Sequence, residues 1–225
     1  MDAHGKFRFT KTNAYSGNNG RAAILNNSGR EPLFYTAGNA GNGGNPRPDG
    51  VIIGAGTQIM TPQTKSEIAQ QPGLPTPVGS FNITQLGDSQ DKIGKDTNFR
   101  GLTIFNNVLY LTKGSGGNGV NSVYFVDPTG AICNNNNGTG LPPANATLPT
   151  TPLAYDPSVL QTKKLDPNNM CILNGFPTAL KSKTSFPFGI WFADTNTLYV
   201  ADEDNGDNTF SNGVYTEAVA QTTAG

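Results

Sequence analysis

The fold is decided by a stretch near the end of the chain, which reads Phe188-Gly-Ile-Trp-Phe-Ala-Asp-Thr-Asn-Thr-Leu-Tyr-Val-Ala-Asp202. Two short apolar runs flank the polar turn Asp194-Thr-Asn196. Short runs of this kind, rich in aromatic and β-branched residues and bounded by turn residues, are typical of β-strands. The stretch therefore predicts two antiparallel strands joined by a tight turn.

The same pattern occurs twice earlier in the chain. Residues 21–24 and 33–39 form one copy, and residues 100–104 and 108–114 form another. The second run of each of the three copies contains a tyrosine, namely Tyr35, Tyr110 or Tyr199. Strand–turn–strand units that repeat with loops of variable length are typical of a β-propeller. We expect the three tyrosine rings to be buried between neighbouring blades.

Short runs of this type predict ten strands, at residues 21–25, 33–37, 50–53, 80–84, 101–105, 108–112, 121–126, 189–192, 197–201 and 213–215. The joint Asn106-Asn107 predicts a two-residue hairpin, because asparagine tolerates a positive φ. Helical patterns are confined to 64–70 and 156–164, where they decorate connecting loops. We therefore predict an all-β, propeller-like fold with about three blades of antiparallel strands and long loop insertions.

The predicted repeat units cover about residues 20–85, 100–175 and 188–225 of a single domain that spans residues 1–225. The chain opens on a turn-like Asp-x-x-Gly segment, and its last unit has only begun a third strand at Gly213-Val-Tyr215. These two ends predict either a piece of a larger propeller or a propeller whose chain starts out of phase.

The composition excludes several classes of protein. Gly, Pro and Asn supply 70 of the 225 residues, which excludes a long-helix or coiled-coil protein. The net charge of −1 and the pI of about 5.8 argue against a nucleic-acid partner. The sequence contains no apolar run long enough for a membrane span. Hydrophobic residues make up 35% of the chain, which is enough for a core and argues against disorder.

The stretch 188–202, with Pro187 before it, resembles the repeat of the NHL and SMP-30/gluconolactonase-like six-bladed propellers. In those families a Pro-x-Gly-apolar segment leads into a Leu-Tyr-Val-Ala-Asp strand. The chain also resembles a group of secreted microbial propeller proteins, a resemblance that implies no activity. The resemblance implies a six-bladed propeller of which this chain supplies about half. It also implies an extracellular, secreted protein.

Five residues are candidates for ligand binding: Arg21, Asn39, Arg100, Lys113 and Trp191. The two arginines precede equivalent strands, so they either face a central channel and grip a carboxylate or form salt bridges between blades. The asparagine and the lysine follow strands whose polar ends differ between repeats, as expected of either a site or a solvated turn. The tryptophan is either a core residue or a stacking platform for a sugar or an aromatic ligand.

The densest acidic cluster of the chain contains Asp202, Glu203, Asp204 and Asp207. Oxygen ligands at close spacing suit Ca²⁺, although the glycine position does not match an EF-hand loop. An exposed acidic turn is the alternative. We therefore expect no cofactor, with Ca²⁺ at this cluster as the one candidate.

The two cysteines, Cys133 and Cys171, bracket a loop rich in Asn, Pro and Gly. The absence of a histidine near them and their separation of 38 residues argue against a metal site. A disulfide that closes the loop is the favoured interpretation, and it implies an oxidising compartment. Two independent buried thiols are the alternative.

Three functions are compatible with these patterns. The first is a secreted, non-catalytic propeller module that binds a small molecule, a glycan or a protein. The second is a metal-dependent lactonase or esterase of the SMP-30-like class, with Asn39, Asp202 and Glu203 as metal ligands. The third is a structural protein that associates with itself through exposed edge strands. No Gly-x-Ser-x-Gly motif supports nucleophilic catalysis.

Overall fold

The structure is a computed structural model that describes residues 5, 7, 19–26, 33–40, 57–60, 97–115, 120–135, 138–150, 170–179 and 185–203. In these ranges the chain forms ten strands and one short helix. In chain order they are β1 (Gly20–Asn26), β2 (Leu33–Ala40), β3 (Thr57–Met60), β4 (Thr97–Phe105), β5 (Val108–Ser115), β6 (Ser122–Val126), α1 (Ala131–Asn135), β7 (Thr139–Gly140), β8 (Met170–Leu173), β9 (Pro187–Asp194) and β10 (Thr197–Asp202). The all-β expectation is confirmed.

The strands form three sheets. In sheet 1, β2 pairs with β1 and with β3. Sheet 2 has the order β4-β5-β6-β8-β7, and all its pairs are antiparallel except β7 with β8. Sheet 3 is the β9–β10 hairpin. The end of β2 also pairs with the start of β4, where Asn39 lies opposite Asn98, so sheets 1 and 2 are continuous at that point.

The three hairpins share one register. Tyr35 lies opposite Ile24, Tyr110 opposite Thr103, and Tyr199 opposite Trp191. Each hairpin also has a bulge shortly after its tyrosine, at 20–22 opposite 37–38, at 99–102 opposite 111–113, and at 187–190 opposite 200–202. A bulge places an extra residue on one strand and increases the local twist. The sequence repeat is therefore a structural repeat.

Sheet 2 lies between the other two sheets, because a separate core covers each of its faces. The first core joins Tyr35 and Ala37 of β2 to residues of sheet 2 such as Leu109, Leu111 and Tyr124. The second core joins the opposite face of sheet 2 to sheet 3; its members include Val108, Tyr110, Val123, Phe125, Ile190, Phe192, Leu198 and Val200. The alternation of inward side chains along β5 assigns successive residues to the two cores.

A disulfide joins Cys133 of α1 to Cys171 of β8, as the sequence predicts. Asp127, directly after β6, fixes the start of α1: its carboxylate accepts hydrogen bonds from the backbone N–H groups of Ile132 and Cys133. The same carboxylate accepts bonds from the N–H and the hydroxyl of Thr129. An aspartate in this position satisfies N–H groups that have no partner within the helix.

Seven of the ten predicted strands are confirmed, and the predictions at 50–53, 80–84 and 213–215 lie outside the described residues, as do both predicted helices. The described strands stack as layers and form no closed propeller ring. Tyr35 and Tyr110 are buried between sheets, as expected, whereas Tyr199 is 59% exposed because no described element covers its face of sheet 3. Within the described ranges, no helix has the length and apolar character needed to cross a membrane.

Candidate functional site

Two hairpin turns lie side by side at one end of the stacked sheets. Asn106 and Asn107 join β4 to β5 with φ values of 48° and 59°, as the predicted two-residue hairpin requires. Thr195 and Asn196 join β9 to β10, and the Asn196 N–H donates to the side chain of Asp194 at 2.8 Å. Because sheets 2 and 3 pack face to face, both turns border one cleft.

Three aromatic rings form the floor of this cleft. Phe105, the last residue of β4, stacks on Phe192 of β9 with ring centroids 4.5 Å apart and planes 4° from parallel. The ring of Tyr110 on β5 also packs against Phe192, with ring centroids 4.6 Å apart and planes tilted by 51°. Contact between the two hairpins therefore places aromatic surface where the sheets meet.

The opposite wall comes from the segments that follow β7 and β8. Leu141 to Ala144 form one part of it, and Asn174 and Phe176 form the other. The Asn174 N–H donates to the Gly140 carbonyl at 2.9 Å, and the Phe176 N–H donates to the Leu173 carbonyl at 3.2 Å. The Cys133–Cys171 disulfide joins the elements that precede these two segments, so the wall has a covalent anchor.

The cleft has a volume of about 620 Å³, which is within the range of small-molecule sites in proteins. Its rim carries four asparagine amides and two threonine hydroxyls, from Asn106, Asn107, Asn174, Thr195, Asn196 and Thr197. None of the described lining residues carries a carboxylate, an imidazole, a thiol or an amine. Burial raises the pKa of Tyr110 to about 12, so its hydroxyl stays neutral at physiological pH. The lining can therefore donate and accept hydrogen bonds but offers no acid or base near neutrality.

Arg100 lies away from this cleft, in an ion pair with Glu203 after β10. Its guanidinium also donates to Ser115 Oγ at 2.9 Å and lies 5.5 Å from the ring of Phe188. The side chain is only 10% exposed, so the pair attaches the end of sheet 3 to sheet 2. The equivalent residue Arg21 is exposed on β1. This placement favours the salt-bridge alternative for Arg100.

Lys113 is fully buried in sheet 2. Its ammonium donates to the Asn121 side chain at 2.9 Å and to the Ser115 carbonyl at 2.7 Å. Buried ammonium groups are stable only with such partners. The placement favours a structural role, and ligand binding by Lys113 stays a prediction. Asn39 pairs with β4 through its backbone, and its side chain lies outside the described residues.

Two members of the predicted Ca²⁺ cluster are described. The Asp202 carboxylate accepts a hydrogen bond from the Phe186 N–H at 2.8 Å, and the Glu203 N–H donates to the Phe186 carbonyl at 2.9 Å. The Asp202 side chain and the Glu203 backbone therefore fix the ends of the β9–β10 hairpin, and the Glu203 carboxylate forms the ion pair with Arg100. Asp204 and Asp207 lie outside the described residues, so the Ca²⁺ site stays a prediction.

Asp127, Cys133 and Cys171 also lie close enough together to suggest a metal site. Both sulfur atoms are committed to the disulfide, and the carboxylate is committed to α1. The group is therefore structural. Trp191 is not a core residue: it is 61% exposed and stacks on Tyr199 with centroids 5.6 Å apart, outside the cleft.

The residues of the cleft were not among the candidates that the sequence suggested. They come from segments that are far apart in the chain, and no single segment contains a recognisable motif. The one usable signal was the Asn106-Asn107 turn, which fixes where β4 and β5 end. No family model matches the chain, and neither a curated protein nor a solved structure does.

Proposed function

We propose that this chain is a non-catalytic β-sheet binding module whose cleft takes an uncharged ligand. The chemistry of the lining carries the proposal, because it combines an aromatic floor with an amide and hydroxyl rim and has no group that titrates near neutrality. An anionic or cationic ligand would be left without a charged partner in such a site. Acid–base or nucleophilic catalysis would require a side chain that the described lining does not supply.

The ligand class that fits best is a neutral glycan. The aliphatic face of a sugar ring packs on aromatic surface such as Phe105 and Phe192, and its hydroxyls match amides that both donate and accept, such as Asn174 and Asn196. Because turns border the cleft, it also suits the end or a branch of a glycan chain. A neutral peptide segment would use the same apolar floor, but it would leave fewer rim amides paired.

The three sheets are further proposed to be successive blades of a propeller-like protein. The shared tyrosine register, the shared bulge and the face-to-face stacking support this interpretation. The ligand cleft would then lie between the second and third blades, at the end where their hairpin turns meet. The disulfide supports the proposal that the protein works outside the cytoplasm, since such bonds persist in oxidising compartments.

The test is a binding measurement by calorimetry or ligand-observed NMR on neutral and acidic oligosaccharides of matched length. We expect neutral ligands to bind and acidic ones to bind at least about 10-fold more weakly, since a charge would be desolvated without a partner. Leu141→Asp, at an exposed position of the wall, should abolish binding of neutral ligands. Thr147→Asp, exposed on the same segment but outside the lining, is the matched control.

Two outcomes would contradict the proposal. One is binding that Leu141→Asp and Thr147→Asp affect equally, because the ligand would then not occupy the cleft. The other is metal-dependent turnover of a lactone or an ester that Asp202→Ala removes, because the chain would then be a hydrolase.

A further inference from the structure

The outer face of sheet 3 is apolar and uncovered in the described part of the chain. We call it the aromatic face; its residues are Gly189, Trp191, Ala193, Tyr199 and Ala201. Trp191 is 61% and Tyr199 is 59% exposed, and the two rings stack across the strands with their planes 27° apart. Trp191 is the single tryptophan of the chain. Two adjacent exposed aromatic rings with only small neighbours are characteristic of an interaction surface.

The structural repeat shows what kind of surface this face accepts. Tyr35 on sheet 1 and Tyr110 on sheet 2 occupy the same register position as Tyr199. Sheet 2 covers Tyr35, and sheet 3 covers Tyr110, so that both rings are at least nine-tenths buried. In two of the three repeats, therefore, the face that contains the tyrosine packs against another β-sheet.

The aromatic face also has small residues at the positions where, on sheet 2, the backbone of sheet 3 makes close contact. Gly101 has no side chain, so the Phe188 carbonyl approaches it closely and accepts a hydrogen bond from the Thr112 hydroxyl at 2.6 Å. The equivalent residues on sheet 3 are Gly189 and Ala201. A Cβ atom built on Gly189 would lie 3.5 Å from that of Ala201 and would meet no other atom of the described residues within 4 Å. A further backbone segment could approach the aromatic face at the same place.

The complementary surface lies at the other end of the stack. Ile190, Phe192 and Leu198 are residues of sheet 3 that pack against the face of sheet 2 that contains Tyr110. Their register equivalents on sheet 1 are Ala23, Leu25 and Phe34, which we call the apolar face of sheet 1. Ala23 is exposed, Leu25 and Phe34 are half-buried, and Thr36, which lies opposite Ala23 and matches Val200, is buried. One copy of the chain thus carries both halves of a sheet-to-sheet contact at opposite ends.

We propose that the aromatic face of one copy packs against the apolar face of sheet 1 in a second copy of this chain. The two surfaces differ, so the contact is heterologous and repeats from copy to copy until the rotation closes a ring. A two-copy ring would contain six sheets. Association through this face differs from pairing of edge strands, because side chains and not backbone ladders make the contact. The aromatic face has no charged side chain, so the strength of association should depend only weakly on salt concentration.

The experiment combines sedimentation analysis with the emission of Trp191, using the full chain. We expect the wild type to sediment as a multiple of its 23.7 kDa mass, with tryptophan emission that shifts to the red on dilution. Tyr199→Glu and Ala23→Glu should each weaken association about 100-fold or more, since each buries an unpaired carboxylate. Thr147→Glu, exposed on a different segment, is the control and should retain the wild-type mass.

Mixing the two variants tests the pairing itself. Tyr199→Glu retains an intact apolar face, and Ala23→Glu retains an intact aromatic face. An equimolar mixture should therefore form a dimer at concentrations at which each variant alone is a monomer. Three results would overturn the proposal: a monomeric wild type, a variant that keeps the wild-type mass, or a mixture that stays monomeric. A monomeric wild type with blue-shifted emission would identify another part of the same chain as the occupant.

Discussion

The hydroxyl of Thr112 on β5 donates a hydrogen bond to the carbonyl of Phe188 on β9 at 2.6 Å. The hydroxyl oxygen of Thr112 also accepts a hydrogen bond from the Gly101 N–H, at 2.6 Å. Thr112 is fully buried, so one hydroxyl joins two neighbouring strands of sheet 2 to sheet 3. Hydrophobic contacts supply most of the attraction between the sheets, and this bridge fixes how they are aligned.

Thr112→Val should lower the free energy of unfolding by about 1–2 kcal/mol, because the half-buried N–H of Gly101 and the carbonyl of Phe188 lose their shared partner. Chemical denaturation measures the effect. Thr112→Ser keeps the hydroxyl and is the matched control, with a smaller loss from the missing methyl group. Equal losses for the two variants would show that packing, and not the hydrogen bonds, determines the contribution of Thr112.

Gly101→Ala should also lower the free energy of unfolding, by about 1–3 kcal/mol, since its Cβ would collide with the Phe188 carbonyl and push the sheets apart. Gly189→Ala is the register-matched control: its Cβ would make ordinary contact with Ala201 and should cost little. Both substitutions are made in the Tyr199→Glu background, so that self-association does not enter the comparison. A larger loss at Gly189 than at Gly101 would contradict the stacking order of the sheets.

Loss of the disulfide should destabilise the chain by about 4 kcal/mol, from loop-closure arithmetic for a sequence separation of 38. Unfolding with and without reductant measures this difference. The Cys133→Ala/Cys171→Ala double variant is the control, because its stability should not respond to reductant. Thiol titration of the denatured, unreduced wild type should detect no free thiol. Two titratable thiols would contradict the bond.

Alkaline pH should destabilise the fold through Tyr110. Burial raises the pKa of its hydroxyl to about 12, whereas the unfolded chain releases that proton near 10. Between these values the folded state binds more protons than the unfolded state, so stability is complete below pH 10 and falls as pH rises towards 12. The loss is up to about 1.4 kcal/mol per pH unit, measured by denaturation across this range.

Tyr110→Phe should flatten that pH dependence. Burial also raises the pKa of Tyr35, so part of the alkaline loss should persist in the variant. A profile that Tyr110→Phe leaves unchanged would assign the whole effect to Tyr35 or to another group.

The local part of the fold could be predicted from the sequence. Alternating apolar residues and the Asn106-Asn107 turn determine hairpins through neighbours in the chain, and these hairpins are observed. Short strands such as β3 and β8 were missed, because their pairing partners are distant and their four-residue runs carry little periodicity. α1 was missed for a similar reason: a capping carboxylate from Asp127 fixes five residues of weak helical propensity.

The candidate site was less predictable than the fold. Residue type alone drew attention to Arg100 and Lys113, yet the Arg100 charge joins sheet 2 to sheet 3, and the Lys113 ammonium is bonded to its neighbours within sheet 2. The cleft depends on how two hairpins and two loops meet, and each contributes only common residues such as asparagine, proline and phenylalanine. Composition does not reveal a binding surface that arises from the meeting of distant segments.

The disulfide between Cys133 and Cys171 has an evolutionary consequence. Their Cα atoms are 5.1 Å apart, so the two ends of the chain segment between them are held close together. That interval contains Leu141 to Ala144, which form one wall of the cleft. Substitutions and length changes confined to 141–144, between β7 and the residues that pack on the core, can alter ligand preference while the strands keep their pairing. Descendants of this sequence can therefore acquire new specificities at little cost to folding.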